Sequence, residues 1–309
     1  MILTAFVAVG AVLLDRWLGE PLRMHPLVGF GRMASALETR LNSAGYTPLR
    51  QRLYGILAIA LLLLPLTLVC VLAVKIPVIG TLIAMLLLYL TLGGQSLTEH
   101  ARRVATALRA NNLGAARLHV SYMVSRDTGA MQPHDVARAT VESVLENGND
   151  AVFGTLFWFM VAGAPGAALY RLANTLDAMW GYRTPRYFYF GWAAARFDDV
   201  MNFIPARLTA LTYAALGHGA NALRCWRVQG RLWESPNAGP VMAAGAGALG
   251  IQLGGPAFYH GAWKERPALG AGLPAATNDI ERAVQLVWRG IGVWLAIFVG
   301  MSAGGLLLA

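Results

Sequence analysis

Two acidic constellations and a scatter of arginines are where this sequence could do chemistry. The sharper is Asp198-Asp199-Val200-Met201-Asn202: on a helix Asp198 and Asn202 stand four residues apart and Asp199 and Asn202 three, so one face presents hard oxygen ligands. Mg2+ prefers such ligands and usually completes its shell with water and substrate phosphates. A solvated first turn, its acids complementing the helix dipole, would need no metal. That reading is the harder one here, because Ala193, Ala194, Ala195, Phe197, Val200 and Phe203 crowd the acids with apolar neighbours.

The second constellation is Glu142, Glu146, Asn149 and Asp150. At regular helical spacing these side chains fall in an arc of about 100°. Carboxylates gathered so closely repel unless a cation or a proton relieves them. The pattern therefore suits a metal or general-base site, with a polar stripe paired to Arg138 as the plainer alternative.

The cations Arg126, Arg171, Arg183, Arg186, Arg196 and Arg207 alternate with acids, Asp127 among them, rather than forming a run. They read either as salt-bridged scaffolding or as bidentate clamps for phosphate. No GxxxxGK[ST] sequence occurs, so a nucleotide used here is not held by a Walker loop, and no HExxH spacing supports zinc. Cys70 and Cys225 lack CxxC spacing and are read as structural, as are His25 and His100. The aromatic stretch Tyr182 to Trp192 suits a large flat ligand or a membrane interface.

The elements that must carry these residues are largely apolar. Of 309 residues 56% are hydrophobic and 13% charged, against roughly 45–50% and 25% in a soluble domain. A mean hydropathy of +0.50 excludes a disordered or collagen-like chain and points to a polytopic membrane protein, since a helix needs about 20 apolar residues to cross the bilayer. The net charge of +9 is almost wholly arginine, because Lys75 and Lys264 are the only lysines. Such an excess suits anionic lipid or a phosphate-bearing substrate.

Full spans are expected at about 1–18, 53–74, 76–95 and 287–309, with no cleaved signal peptide. Arginines 16, 23, 32, 40, 50 and 52 fill the first loop whereas the next turn offers only Lys75, which puts that loop in the cytoplasm and both termini outside. Gly163-Ala164-Pro165-Gly166 interrupts the run 151–170, which is read as a re-entrant or protein-buried helix pair. The Gly/Ala-rich run 235–263 favours close helix contact over lipid exposure. The expectation is an all-α, polytopic membrane protein built as a single domain, 1–309, with cytoplasmic and re-entrant helices over 96–286.

Motifs in a fixed order then carry a resemblance. They begin with Glu20-Pro21 and His25-Pro26-Leu27-Val28, Ser96 to His100, and Ser125-Arg126-Asp127-Thr128. Glu142 to Asn147 with Asp150, Gly163 to Ala167, Asn174-Thr175-Leu176-Asp177, Gly181-Tyr182 and Asp198 to Arg207 follow, then Ser235 to Gly239 and Leu253 to Pro256. With these residues the chain resembles the adenosylcobinamide-phosphate synthase family, membrane enzymes of the late cobalamin pathway. It departs from the pattern at Glu20, where aspartate is usual, at Ser125, where glycine is, and at Gly154-Thr155, where Ala-Pro is.

The resemblance implies ATP-dependent amide formation between adenosylcobyric acid and 1-amino-2-propanol O-phosphate or aminopropanol, with Mg2+ and ATP as cofactors. Phosphorylating the free carboxylate makes a leaving group that the amine displaces. On this reading Asp198, Asp199 and Asn202 are metal ligands, and Glu142, Glu146, Asp150, Arg126 and Asp127 form the catalytic set. Arg196, Arg207, Asn174, Asp177, Ser235 and Asn237 bind cofactor, Arg126 sharing the phosphates with Arg196 and Arg207. The implied partners are the corrinoid, the amine and the lipid bilayer, with no nucleic acid, and either a homo-oligomer or a complex with other late cobalamin-pathway enzymes. The implied place is the bacterial inner membrane, active site toward the cytoplasm. Two other classes compete: a non-catalytic membrane sensor related to the synthases, which would have eroded acids, and an Mg-dependent prenyl-diphosphate transferase, which would need a second aspartate-rich motif.

Overall fold

The computed structural model describes residues 2–21, 25–259 and 262–307; Leu22, Arg23 and Met24 of the first motif, and Met1, His260, Gly261, Leu308 and Ala309, lie outside the described residues. Among those described, the chain is overwhelmingly helical and polytopic. Four helical segments are long and apolar enough to cross a membrane: Pro48–Ala73, Gly80–Arg109, Pro133–Trp180 and Thr277–Ala303. The first helix, α1 (Ile2–Leu18), has 17 residues. Burial separates these segments, for only 17% of the Pro48–Ala73 window is enclosed by protein against 61% for Pro133–Trp180. The former carries leucines outward, whereas more than half of the latter's window is enclosed by protein.

The chain divides into two compact units. The first comprises residues 1–93, 154–202 and 297–309, and the second 94–153 and 203–296.

In the first unit α1 packs on α4 (Gly80–Thr91), and α2 (Pro26–Leu41) and α3 (Pro48–Ala73) pack with α8 (Gly154–Trp180). The core joins Phe30, Ala58, Leu62, Leu176, Trp180 and Phe190. His25 starts α2, its Nδ1 accepting from Leu27 N at 3.2 Å, and Thr47 does the same for α3 through Arg50 N. Helix α8 is broken at Ala162 and Gly163, where Gly163 adopts φ 66° and ψ −166°. That backbone is essentially reserved for glycine, and Pro165 opens the second half where its missing N–H costs nothing.

In the second unit α5 (Gly94–Arg109) packs on α6 (Leu113–Ser121) and α7 (Pro133–Gly148). A π-helical turn, Asn149–Phe153, ends α7. The C-terminal part of α9 (Trp192–Leu216), α10 (Gly219–Gln229) and the α12 (Thr277–Leu307) residues up to 296 also belong here.

The run 235–263 is neither a span nor one helix. It forms α11 (Ala238–Leu249), buried at every residue, and then turns into strands. Twelve residues rise about 18 Å, too short to cross. A Cβ on Gly247 would stand 2.8 Å from the Ala222 backbone, so glycine is what lets α10 and α11 approach so closely. Strand β1 (Ile251–Gly254) pairs antiparallel with β4 (Ala268–Gly270) and parallel with β5 (Leu273–Pro274), while β2 (Ala257–Tyr259) and β3 (Ala262–Lys264) form a hairpin. This small sheet departs locally from the all-helical expectation: Gly250 ends α11 at φ 68°, and Gly254 and Gly255, both at positive φ, followed by Pro256 break the chain again, leaving pieces too short for helices.

Candidate functional site

The first unit holds a file of polar side chains between α8 and the start of α9. Arg171 donates to Asn174 Oδ1 at 3.0 Å, and Asn174 Nδ2 donates to Asp198 Oδ1 at 3.3 Å. Asn202 Nδ2 donates to Asp198 Oδ2 at 3.2 Å, and its own Oδ1 accepts from the Tyr170 hydroxyl at 2.8 Å. Asp198 and Asn202 share one face of α9, but Asn202 turns its amide nitrogen to Asp198 and its oxygen to Tyr170 instead of presenting that oxygen as a free ligand. Asp199 points to another partner, Arg196, at 3.1 Å.

Asp177 joins this group from the far end of α8, close enough for its charge to interact with those of Asp198 and Asp199. Burial lifts the Asp199 carboxyl above its ordinary value, with Arg196 and Arg183 pulling the other way. Beside this concentration of carboxylates the Arg171 Nε is buried without a hydrogen-bond partner. An orphaned donor of that kind costs roughly 1–3 kcal/mol unless an acceptor arrives. Among the described residues no three His, Cys, Asp or Glu side chains are arranged to hold a metal. The donor set thus fits Mg2+ held by one or two carboxylates together with phosphate oxygens, not an all-protein cage.

The second unit holds a different arrangement. Glu142, whose side chain is 3% exposed, lies between Arg126 and Arg266, each 7% exposed. Its Oε2 accepts from Arg126 at 2.5 Å and from Arg266 at 3.1 Å, and its Oε1 accepts from Gly254 N at 2.8 Å and Arg266 at 3.1 Å. Four bonds fill the carboxylate's acceptor positions. Glu142 in this state fastens Arg126 and the β1 end together, and offers no lone pair to a metal or to a departing proton.

Within the predicted arc of Glu142, Glu146, Asn149 and Asp150 the side chains differ in their partners. Glu142 is committed to the arginines, Glu146 is half-buried, and Asn149 accepts from Thr209 at 2.9 Å while donating to Asp150 Oδ1 at 2.8 Å. The π-helical turn begins at Asn149, so Glu142 and Glu146 keep the 3.6-residue period and only Asn149 and Asp150 of the arc fall within the widened turn. Such turns recur at functional sites, and the bend sets the Asp150 carboxylate near the Tyr213 phenol.

Asp127 lies beside this cluster, its amide donating to Phe258 O at 3.2 Å. Arg207 donates to Asn237 Oδ1 at 2.6 Å and to Pro236 O at 3.0 Å, and Ser235 Oγ accepts from the amides of Asn237 and Ala238. These three residues meet, and what they build is a fastened turn. Arg186 is scaffolding, its guanidinium on the buried Glu38 at 2.6 Å and 3.0 Å. Arg266 escaped the sequence reading; its only signal was a short charged stretch, Lys264-Glu265-Arg266, soon after Gly-Gly-Pro.

The family model described as CobD/Cbib protein matches residues 8–287. This chain belongs to the CobD/Cbib family. It is 59% identical over 290 residues to a cobalamin biosynthesis protein CobD of Chromobacterium violaceum, covering 93% of each chain. It is 58% identical to one of Stutzerimonas stutzeri, covering 94% of this chain and 95% of that one, and 39% identical to one of Mycobacterium tuberculosis, covering 90% of each. No solved structure matches. Family membership makes this a cobalamin-biosynthesis protein and favours neither the sensor nor the prenyl-transferase reading, and the four apolar helical segments make it a protein of the membrane. Both polar assemblies fall within the matched residues.

Proposed function

We propose that this chain is the ligase that joins adenosylcobyric acid to 1-amino-2-propanol O-phosphate, or to aminopropanol, with ATP consumed, at the cytoplasmic face of the bacterial inner membrane. The observation that carries the reading is the Arg171–Asn174–Asp198–Asn202 file, with Asp177 and Asp199 alongside and a buried guanidinium N–H awaiting an acceptor. Carboxylates that repel one another and an unsatisfied arginine together suit a cation and a phosphate arriving as a pair.

Asp198, with Asp199 or Asp177, would hold Mg2+, which when bound neutralises charge on phosphate oxygens during phosphoryl transfer. Asn174 and Asn202 fix the Asp198 carboxylate by one hydrogen bond on each oxygen, and Tyr170 fixes Asn202 in turn. Arg171 offers its Nε to a phosphate oxygen, and Arg196 holds Asp199 until a ligand competes for its guanidinium. Glu146 and Asp150 remain the acids from which a proton acceptor for the amine is drawn, Glu142 being spent on Arg126 and Arg266. Arg126 and Asp127 act by shaping the wall around Glu142, and Arg207, Ser235 and Asn237 by holding their turn.

The deciding assay supplies the purified full chain in detergent with adenosylcobyric acid, the amino alcohol phosphate, ATP and Mg2+. ADP and the amide product are expected together. Their absence, under conditions in which a related CobD protein turns over, overturns the proposal.

A further inference from the structure

A groove of ≈ 700 Å³ lies in the second unit, lined by Phe203 and Arg207 of α9, Trp226 and Arg227 of α10, and Arg231 and Trp233 beyond it. Its volume is that of a small-molecule site, about 300–1,000 Å³. The charges around it are unequal. Glu234, which also lines the groove, is tied to Lys264 Nζ at 2.8 Å. Arg207 is fastened to Asn237, Pro236 O and Phe203 O, with its guanidinium 3.7 Å above the Phe203 ring. Arg227 and Arg231 stand four positions apart across the end of α10, and among the described residues neither makes a hydrogen bond or an ion pair. Two unspent forks on one concave wall match the oxygens of a phosphate.

We propose that this groove binds a soluble phosphate ester carrying a flat ring, with Arg227 and Arg231 on the phosphate and the indoles of Trp226 and Trp233 against the ring. Arg266 stands 5.1 Å from the centre of the Trp233 ring and props that indole from the Glu142 cluster, so the aromatic wall is held by a buried anchor. None of the elements lining the groove belongs to the four segments apolar enough to cross a membrane, and an anionic headgroup, which basic segments outside the hydrocarbon also attract, is the competing occupant that the test separates. Neither Arg227 nor Arg231 belongs to the proposed amide-forming machinery, and the binding stands whether or not that reaction is the right one.

The test uses the full chain in uncharged detergent and azido-ATP in magnesium-free buffer, which separates this groove from the acidic site. Photolabel is expected in peptides spanning 203–240, competed by ATP and not by adenosine. The pair Arg227→Gln with Arg231→Gln should weaken that labelling at least about tenfold, with the unfolding temperature unchanged. Arg227→Lys with Arg231→Lys should recover part of it. Label only outside 203–240, equal labelling in the glutamine pair, or labelling abolished by phosphatidylglycerol nanodiscs but not by ATP overturns the proposal.

Discussion

Arg266 grips Glu142 with one guanidinium nitrogen on each carboxylate oxygen, both at 3.1 Å, across 124 residues of chain. The same carboxylate also takes Arg126, so one acid holds two buried guanidiniums. Its removal leaves two cations facing each other out of water, a situation that costs about 3–5 kcal/mol for a buried pair. Glu142→Ala should therefore lower stability by roughly that much, and Arg266→Ala by less, because Arg126 keeps Glu142 paired. Unfolding of the detergent-solubilised variants measures both; an Arg266 loss equal to or above the Glu142 loss would contradict the shared-anchor arrangement.

Asp198→Asn places a third amide between Asn174 and Asn202 and removes the charge proposed to face the metal. Turnover is expected to fall by about 100-fold or more, with the fold retained. Asn202→Asp should lose less and shift the Mg2+ requirement instead, because Tyr170 can still donate to it. ADP release against Mg2+ concentration distinguishes these outcomes. Unchanged rates in Asp198→Asn would remove that residue from the site.

His25 gives a pH dependence with a definite sign. Burial holds its imidazole below the ordinary 6.5, Arg171 adds to the fall, and Glu20 opposes it. The unfolded chain therefore binds the proton first, so the stability contributed by the neutral cap on α2 is complete above about pH 6.5 and drains away as pH drops toward the lower folded value. His25→Asn keeps a side-chain acceptor at the cap and should flatten that acidic loss. Unfolding temperatures measured across this range check it, and parallel curves for the two proteins would count against the histidine.

Gly163→Ala tests the break in α8. An alanine Cβ there would meet only Pro165 Cδ, at 3.7 Å, so the cost is in the backbone and not in a clash. Forcing an L-residue into φ 66° and ψ −166° should destabilise by about 1–3 kcal/mol. Gly166→Ala, by contrast, would put its Cβ 2.7 Å from Trp158 O and fail sterically. Comparable unfolding temperatures for Gly163→Ala and the parent chain would show that the kink tolerates side chains.

Features controlled by neighbours along the chain were readable. The leucine-rich run of α3, the interruption at Gly163 and the placing of Asp198 and Asn202 on one helix face each depend on residues within a few positions, where hydropathy, backbone freedom and helical spacing act directly. Neither the commitment of Glu142 to Arg126 and Arg266 nor the π-helical turn at Asn149 leaves a mark in residue type or spacing. The Gly/Ala run at 235–263 pointed to close helix contact, which α11 makes on α10, but its composition gave no sign of the short strands that follow.

The partners of charged groups came from further away. Arg266 under Glu142, Asp177 beside Asp198 and Asp199, and Arg207 on Asn237 are separated by tens of residues or more, and no periodicity connects them. Sequence alone determined that this chain is a helical membrane protein of the family, with arginines in excess over its carboxylates, because composition and short-range spacing are properties of the chain itself. Only the tertiary structure decided which acids are spent on arginines and which stand together with an unsatisfied donor, because desolvation and ion pairing depend on distance through space.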